Sequence, residues 1–297
     1  MPSRSKWYRD HRLWVEAFVL VNLAFLSVDI YLAHSVNQFR RWPEYVPLYF
    51  SLAAPVVLLV GLLAGEWGGY RAAWRDLGYL VGWAAIGVGL VGVILHLDSR
   101  FFYDRTIKSL VYAAPFAAPL AYTGLGLLLL MNRMVASDSP EWPRWVLLLA
   151  LGGFFGNFVF SLTDHAQNGF FHWTEWIPVV SSAFAVGFLA APLFTAVGRR
   201  FLWLCAAVMF VQGAVGLLGF YFHVAANLHG PAPRMWDNFL FGAPALAPLL
   251  FPNLVLLACI GLWVLGEQAR AIEPNSPVTT DSGGKKAEKE VSGVDFA

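Results

Sequence analysis

His34-Ser-Val-Asn37-Gln-Phe39-Arg-Arg-Trp42-Pro-Glu44-Tyr45-Val46-Pro47 returns 131 residues later as His165-Ala-Gln-Asn168-Gly-Phe170-Phe-His172-Trp173-Thr-Glu175-Trp176-Ile177-Pro178. The shared pattern, H-x-x-N-x-F-x-x-W-x-E-[Y/W]-[V/I]-P, runs ungapped over fourteen positions. Chance explains such a match poorly, and self-similarity at a fixed offset is the mark of a duplicated architecture. A second correspondence lies at nearly the same offset. Ala114-Pro115-Phe116-Ala117-Ala118-Pro119-Leu120 resembles Ala243-Pro244-Ala245-Leu246-Ala247-Pro248-Leu249, 129 residues on, and His96 precedes His223 by 127.

The repeats are set among long apolar runs. Of 297 residues 58% are hydrophobic and only 13% charged, and mean hydropathy is +0.58, too apolar for an ordinary soluble domain. Thirteen Trp and 24 Phe match the aromatic load of bilayer interfaces. A helix needs roughly 20 apolar residues to cross the hydrocarbon core. Eight stretches qualify: 13–33, 45–64, 77–97, 109–131, 145–164, 177–197, 201–224 and 239–265. The first is read as a retained span, because Asp29 lies within it and no small-x-small cleavage site follows. The lipid bilayer is therefore the partner this composition demands. A net charge of +1 gives no footing for nucleic acid.

The expected fold is an all-α integral membrane protein, with eight transmembrane helices in two tandem pseudo-symmetric four-helix units, 13–133 and 144–267. Four spans per unit is an even number, so the copies share one orientation about an axis along the membrane normal. Residues 1–12 form a basic N-terminal segment. Residues 271–297, rich in Pro, Gly and Ser without periodicity, read as a disordered cytoplasmic tail. Eleven basic residues near span ends fall on the side of the termini and six on the other. The positive-inside rule then places both termini in the cytoplasm, in an inner, cytoplasmic membrane of bacterial type.

With that topology six of the seven histidines fall on the extracytoplasmic side, and only His11 does not. His34, His96, His165 and His223 each close an odd-numbered span. Small and polar residues lead up to them at helical steps: Gly82, Ala85, Gly89 and Gly92 before His96, and Gln212, Gly216 and Gly219 before His223. Such stripes face neighbouring helices rather than lipid, so the imidazoles should point inward.

Imidazole is the commonest transition-metal ligand and an axial ligand of haem. The leading expectation is thus a His/Glu site at the outer face, binding a transition metal or haem in a redox, metal-handling or assembly role. His34, His96, His165 and His223 are its expected ligands. Glu44 and Glu175 would be ligands or hold the second ring nitrogen of a ligand histidine. Asn37, Asn168 and Asp164 would orient the motif. Two alternatives stand beside it. One is a proton-coupled small-solute transporter or channel, with Asn22 and Asp29 on its pathway. The other is a structural membrane subunit, possible partners within a larger membrane complex being unknown, whose His/Trp/Glu motifs only cap helices. No phosphate-binding loop, dinucleotide fingerprint, G-x-S-x-G or H-E-x-x-H occurs to name a reaction. Cys205 and Cys259 sit in different apolar runs, which disfavours a structural disulfide. In outline the chain resembles haem A synthase, but its histidines close odd-numbered spans and the loop cysteines of many such proteins are absent. That likeness is architectural and carries no residue across.

Overall fold

The computed structural model describes residues 10–67 and 71–272, and the side chains of 10–64 and 75–270. Most of the basic N-terminal segment and nearly all of the expected tail lie outside the described residues. Every regular element among those described is helical: α1 (His11–Ser35), α2 (Tyr45–Trp67), α3 (Arg71–Asp98), α4 (Phe101–Asp104), α5 (Ile107–Val111), α6 (Leu120–Met134), α7 (Glu141–Gln167), α8 (Trp176–Phe194), α9 (Arg199–Leu228), α10 (Met235–Phe241) and α11 (Leu250–Ile272). Single 3-10 turns occupy Trp42–Glu44, Trp173–Glu175 and Ala247–Leu249.

Among the described residues seven helices are long and apolar enough to cross a membrane: α1, α2, α3, α7, α8, α9 and α11. Their outward faces are apolar as well. Val56, Leu80, Phe210 and Leu256 are each more than half exposed, where a water-facing helix would present charge. This is the build of a multi-pass membrane protein.

The fourth expected span, 109–131, is not one helix. Residues 107–111 form α5, 112–119 are irregular, and α6 supplies only 15 residues, about 22 Å against a hydrocarbon core of roughly 30 Å. Pro115 and Pro119 are the cause. Each lacks an amide donor and pushes its predecessor out of helical geometry, which hydropathy does not register. The expected span 239–265 is displaced for the same reason: its start falls in α10, and the spanning helix begins after Pro244 and Pro248.

The long helices form two four-membered rings. In one, α1 packs on α2, α2 on α3, α3 on α6 and α6 on α1; in the other, α7, α8, α9 and α11 close likewise. The rings touch along α1–α11 and α6–α7. Trp142, Val146, Leu147, Ala150 and Phe154 of α7 are fully buried. The small-residue stripes pack as the sequence leads one to expect. A Cβ on Gly82 would lie 2.7 Å from Leu130, and one on Gly89 would strike Thr123 and the Pro119 carbonyl. Gly216 meets Pro248, Phe251 and Pro252 in the same way. These contacts run α6 antiparallel to α3, with Pro119 beside Gly92 and Arg133 beside Gly78.

Candidate functional site: two histidine pairs

The fourteen-residue motif is a helix stop followed by a helix start. At the end of α1 the amide of Phe39 donates to the His34 carbonyl (3.2 Å) and that of Gln38 to Ser35 (3.1 Å). At the end of α7 Phe170 donates to His165 and Gly169 to Ala166, both at 3.1 Å. This crossed pair is a Schellman-type closure, in which the last residue packs back on the one whose carbonyl it bonds. Here that residue is the phenylalanine and its target the histidine: ring centroids are 5.8 Å apart for His34–Phe39 and 6.3 Å for His165–Phe170. Both turns use left-handed backbone, with φ of 62° and 50° at Gln38 and Phe39, and 68° and 53° at Gly169 and Phe170. Bulky residues avoid that region. Stacking onto the next helix holds them there, Phe39 on Tyr45 at 4.9 Å and Phe170 on Trp176 at 3.9 Å.

The closure aims each histidine at the glutamate of its own motif. His34 Nδ1 lies 3.9 Å from Glu44 Oε2, and His165 Nδ1 3.5 Å from Glu175 Oε2, with every one of these side chains less than a fifth exposed. Those distances exceed a hydrogen bond. In both halves this glutamate oxygen is buried without a hydrogen-bond partner.

His96 and His223 complete the pairs. Nδ1 of His96 bonds the Pro115 carbonyl and Nδ1 of His223 the Pro244 carbonyl, each at 2.9 Å. A carbonyl only accepts, so Nδ1 carries the proton and the neutral ring keeps its lone pair on Nε2. Each of these carbonyls also accepts the amide three residues on, from Ala118 (3.1 Å) and Ala247 (3.2 Å), and a proline spacing removes the other backbone donor. In a helix the carbonyl of residue 115 would receive the amide of residue 119, and that of 244 the amide of 248. Both donors are prolines and have no N–H. The two proline repeats and the two histidines thus belong to one device. His34 faces His96 with centroids 6.3 Å apart, and His165 faces His223 at 6.4 Å, in both cases edge-on.

The expected ligands are therefore brought together two by two. No ring contact or ion pair joins His34 or His96 to His165 or His223, and among the described residues no three His, Cys, Asp or Glu side chains are placed to hold a metal ion. Asn37 orients its acid, donating to Glu44 Oε1 (3.1 Å). Asn168 occupies the same motif position, yet Glu175 Oε1 accepts instead from the His172 amide (3.2 Å). Asp164 adds a carboxylate near His165, His223 and Glu175; its motif counterpart is Ala33, so the first motif has no acid at that position. Asn22 exchanges amide hydrogen bonds with Asn253 of α11, at 3.1 and 2.6 Å, and so pins the two rings together. Asp29 is half-buried on α1 within electrostatic range of Tyr122, whose hydroxyl bonds Ser51 and the Pro47 carbonyl.

A further polar cluster at the opposite end escaped sequence reasoning. Glu16 receives both Nε and Nη2 of Arg133, at 3.1 and 3.0 Å. Asn132 donates to Glu16 (3.3 Å) and accepts from Trp142 Nε1 (3.2 Å). Arg12 reaches the Val135 carbonyl (2.8 Å). Glu16, Asn132 and Trp142 are buried, so this network fastens α1, α6 and α7 where the rings meet.

Neither a family model, nor a curated protein, nor a solved structure matches this chain. Its function is to be read from the site alone.

Proposed function

We propose that this is an inner-membrane protein of eight crossings, arranged as two tandem four-helix units (13–133 and 144–267) with both termini in the cytoplasm. In this reading α6 and the irregular stretch before it make the fourth crossing. Each histidine pair then lies at the extracytoplasmic face and ligates one haem or transition metal, in an electron-transfer or cofactor-handling role.

The observation that carries this is the commitment of Nδ1. In His96 and His223 it is bonded to carbonyls, which leaves their Nε2 atoms as electron-pair donors, and in His34 and His165 it faces a carboxylate oxygen beyond hydrogen-bond distance, at 3.9 and 3.5 Å. A ligand histidine with an acceptor on its other nitrogen is the usual arrangement around bound metals. Only two protein ligands are gathered per half, so the remaining coordination must come with the group itself, as haem's macrocycle provides. Two imidazoles flanking one metal over bonds of about 2 Å have centroids roughly 6 Å apart, which both pairs approximate. The absorption spectrum and metal content of the detergent-purified chain test this. A Soret band or stoichiometric metal, lost by half in either His96→Ala or His223→Ala and wholly in the double variant, is expected. A colourless, metal-free protein that takes up neither haemin nor metal on titration refutes it.

One observation favours proton coupling as a second reading. Asp29, Tyr122 and Ser51 form a polar series inside the first ring, below the unpartnered Glu44 oxygen, and buried titratable groups in membranes commonly mark proton routes. Proteoliposomes with an internal pH dye, in which Asp29→Asn abolishes proton flux, would support it; no flux from the unmodified chain would remove it.

A further inference from the structure

The second ring contains a cleft whose chemistry the first does not repeat. It has a volume of about 490 Å³, lies between α8 and α9, and is walled by Val180, Phe184, Val208 and Val211. Val180, Phe184 and Val211 are at least half exposed, so the cleft opens sideways to the surface that lipid covers. Gln212 lines it and is 1% exposed. Its Nε2 donates to the Ser181 carbonyl at 2.9 Å. Because that carbonyl can only accept, the amide cannot be flipped, and Oε1 is the free end. Gln212 Oε1 is buried without any hydrogen-bond partner.

The first half carries no equivalent of this polar group. At the offset that relates His96 to His223, the counterpart of Gln212 is Ala85. At the offset of the fourteen-residue motif, the counterpart of Ser181 is Phe50. The first half packs this position with hydrocarbon. An unsatisfied acceptor in an element facing lipid is unfavourable, and its confinement to one half, inside a cleft, points to a ligand.

We propose that this cleft binds a single-chain lipophilic alcohol, whose hydroxyl donates to Gln212 Oε1 while its chain lies along α8 and α9. The acceptor calls for a donor, which excludes ethers, ketones and esters. Gln212 lies midway along α9, at a depth that phospholipid headgroups do not reach, and the volume suits one small ligand rather than two acyl chains. Trp176 lines the cleft and stacks on Phe170, which packs on His165, so an occupant would sit beside the second histidine pair. The inference does not depend on what that pair binds.

The test is photolabelling of the full chain in nanodiscs with a diazirine-bearing dodecanol, mapped by peptide mass spectrometry. Saturable labelling of 177–184 and 208–215 is expected, competed by dodecanol at least tenfold better than by its methyl ether. A linear isoprenoid alcohol as a second competitor separates branched from straight-chain occupants. Gln212→Leu should weaken labelling about tenfold, the effect of one lost hydrogen bond to a ligand. Should that variant fail to fold, Val208→Trp fills the cleft while keeping the amide, and should abolish labelling there. Equal competition by the ether, or unchanged labelling in either folded variant, overturns the proposal and leaves the cleft a passive lipid-facing groove.

Discussion

Replacing Pro119 by alanine supplies an amide at the end of the irregular stretch 112–119 that leads into α6. The Pro115 carbonyl, which already accepts from the Ala118 amide (3.1 Å), would gain a second backbone donor four residues ahead, in competition with His96. One hydrogen bond is exchanged for another, each with a net worth of about 1 kcal/mol, so overall stability should change by less than about 1 kcal/mol. The site responds differently. The bond that keeps the proton on Nδ1 of His96 at 2.9 Å is removed, and about 1 kcal/mol corresponds to roughly a fivefold shift between the two tautomers. Solid-state NMR of ¹⁵N-histidine-labelled protein in lipid separates protonated from bare ring nitrogens. A roughly fivefold fall in the ratio of Nδ1–H to Nε2–H at His96, with His223 unaffected, is the expected result. Pro248→Ala should do the converse. If Pro119→Ala leaves the His96 tautomer unchanged, the claim that proline spacing sets the chemistry of this imidazole is wrong.

Glu16→Ala leaves the half-buried Arg133 guanidinium without its carboxylate, and should cost about 3 kcal/mol, the low end for a broken buried pair because Arg133 keeps the Arg75 carbonyl. Denaturation in mixed micelles would read this, and a loss under 1 kcal/mol would show the network to be incidental. Gly89→Leu forces a side chain into Thr123 and the Pro119 backbone and should destabilise by about 1–3 kcal/mol. Gly87→Ala, with nothing within 4 Å, should instead stabilise by about 0.5–1 kcal/mol in the same assay. At the paired turns, Gln38→Gly relieves a left-handed residue and should stabilise by about 0.5–1 kcal/mol, whereas Gly169→Ala should destabilise by about 1 kcal/mol. Effects of the same sign at both positions would refute the reading of the motif as a helix stop.

Much of this architecture is written in local pattern. The apolar runs locate seven long helices, and the spacing of Gly82, Ala85, Gly89 and Gly92 marks the face that packs. Placement of His34 and His165 in the last turns of α1 and α7 follows from the polar motif that ends each run. What escaped depends on single missing atoms or on long-range pairing. Averaged over a window, Pro115 and Pro119 are outweighed by apolar neighbours, and hydropathy does not see two absent amide protons, so 109–131 looks like one helix. Glu16 and Arg133 lie 117 residues apart at span ends, where each passes for an ordinary interfacial charge. The offset between motif copies says that the histidines are equivalent but not how far apart the halves hold them. Equivalence of sequence is also not equivalence of contact: Asn37 holds Glu44, whereas the His172 amide takes that role at Glu175.

The link from Met134 to Glu141 joins two rings that each close upon themselves. Their common boundary is made of side chains, Asn22 with Asn253 and Trp142 with Asn132, not of shared backbone. A polypeptide cut in that link, or encoded as two genes, would hold the information to insert each part independently and to recognise its partner in the bilayer. Co-expressed fragments that migrate as one complex would make the covalent tether a convenience of synthesis rather than a condition of assembly.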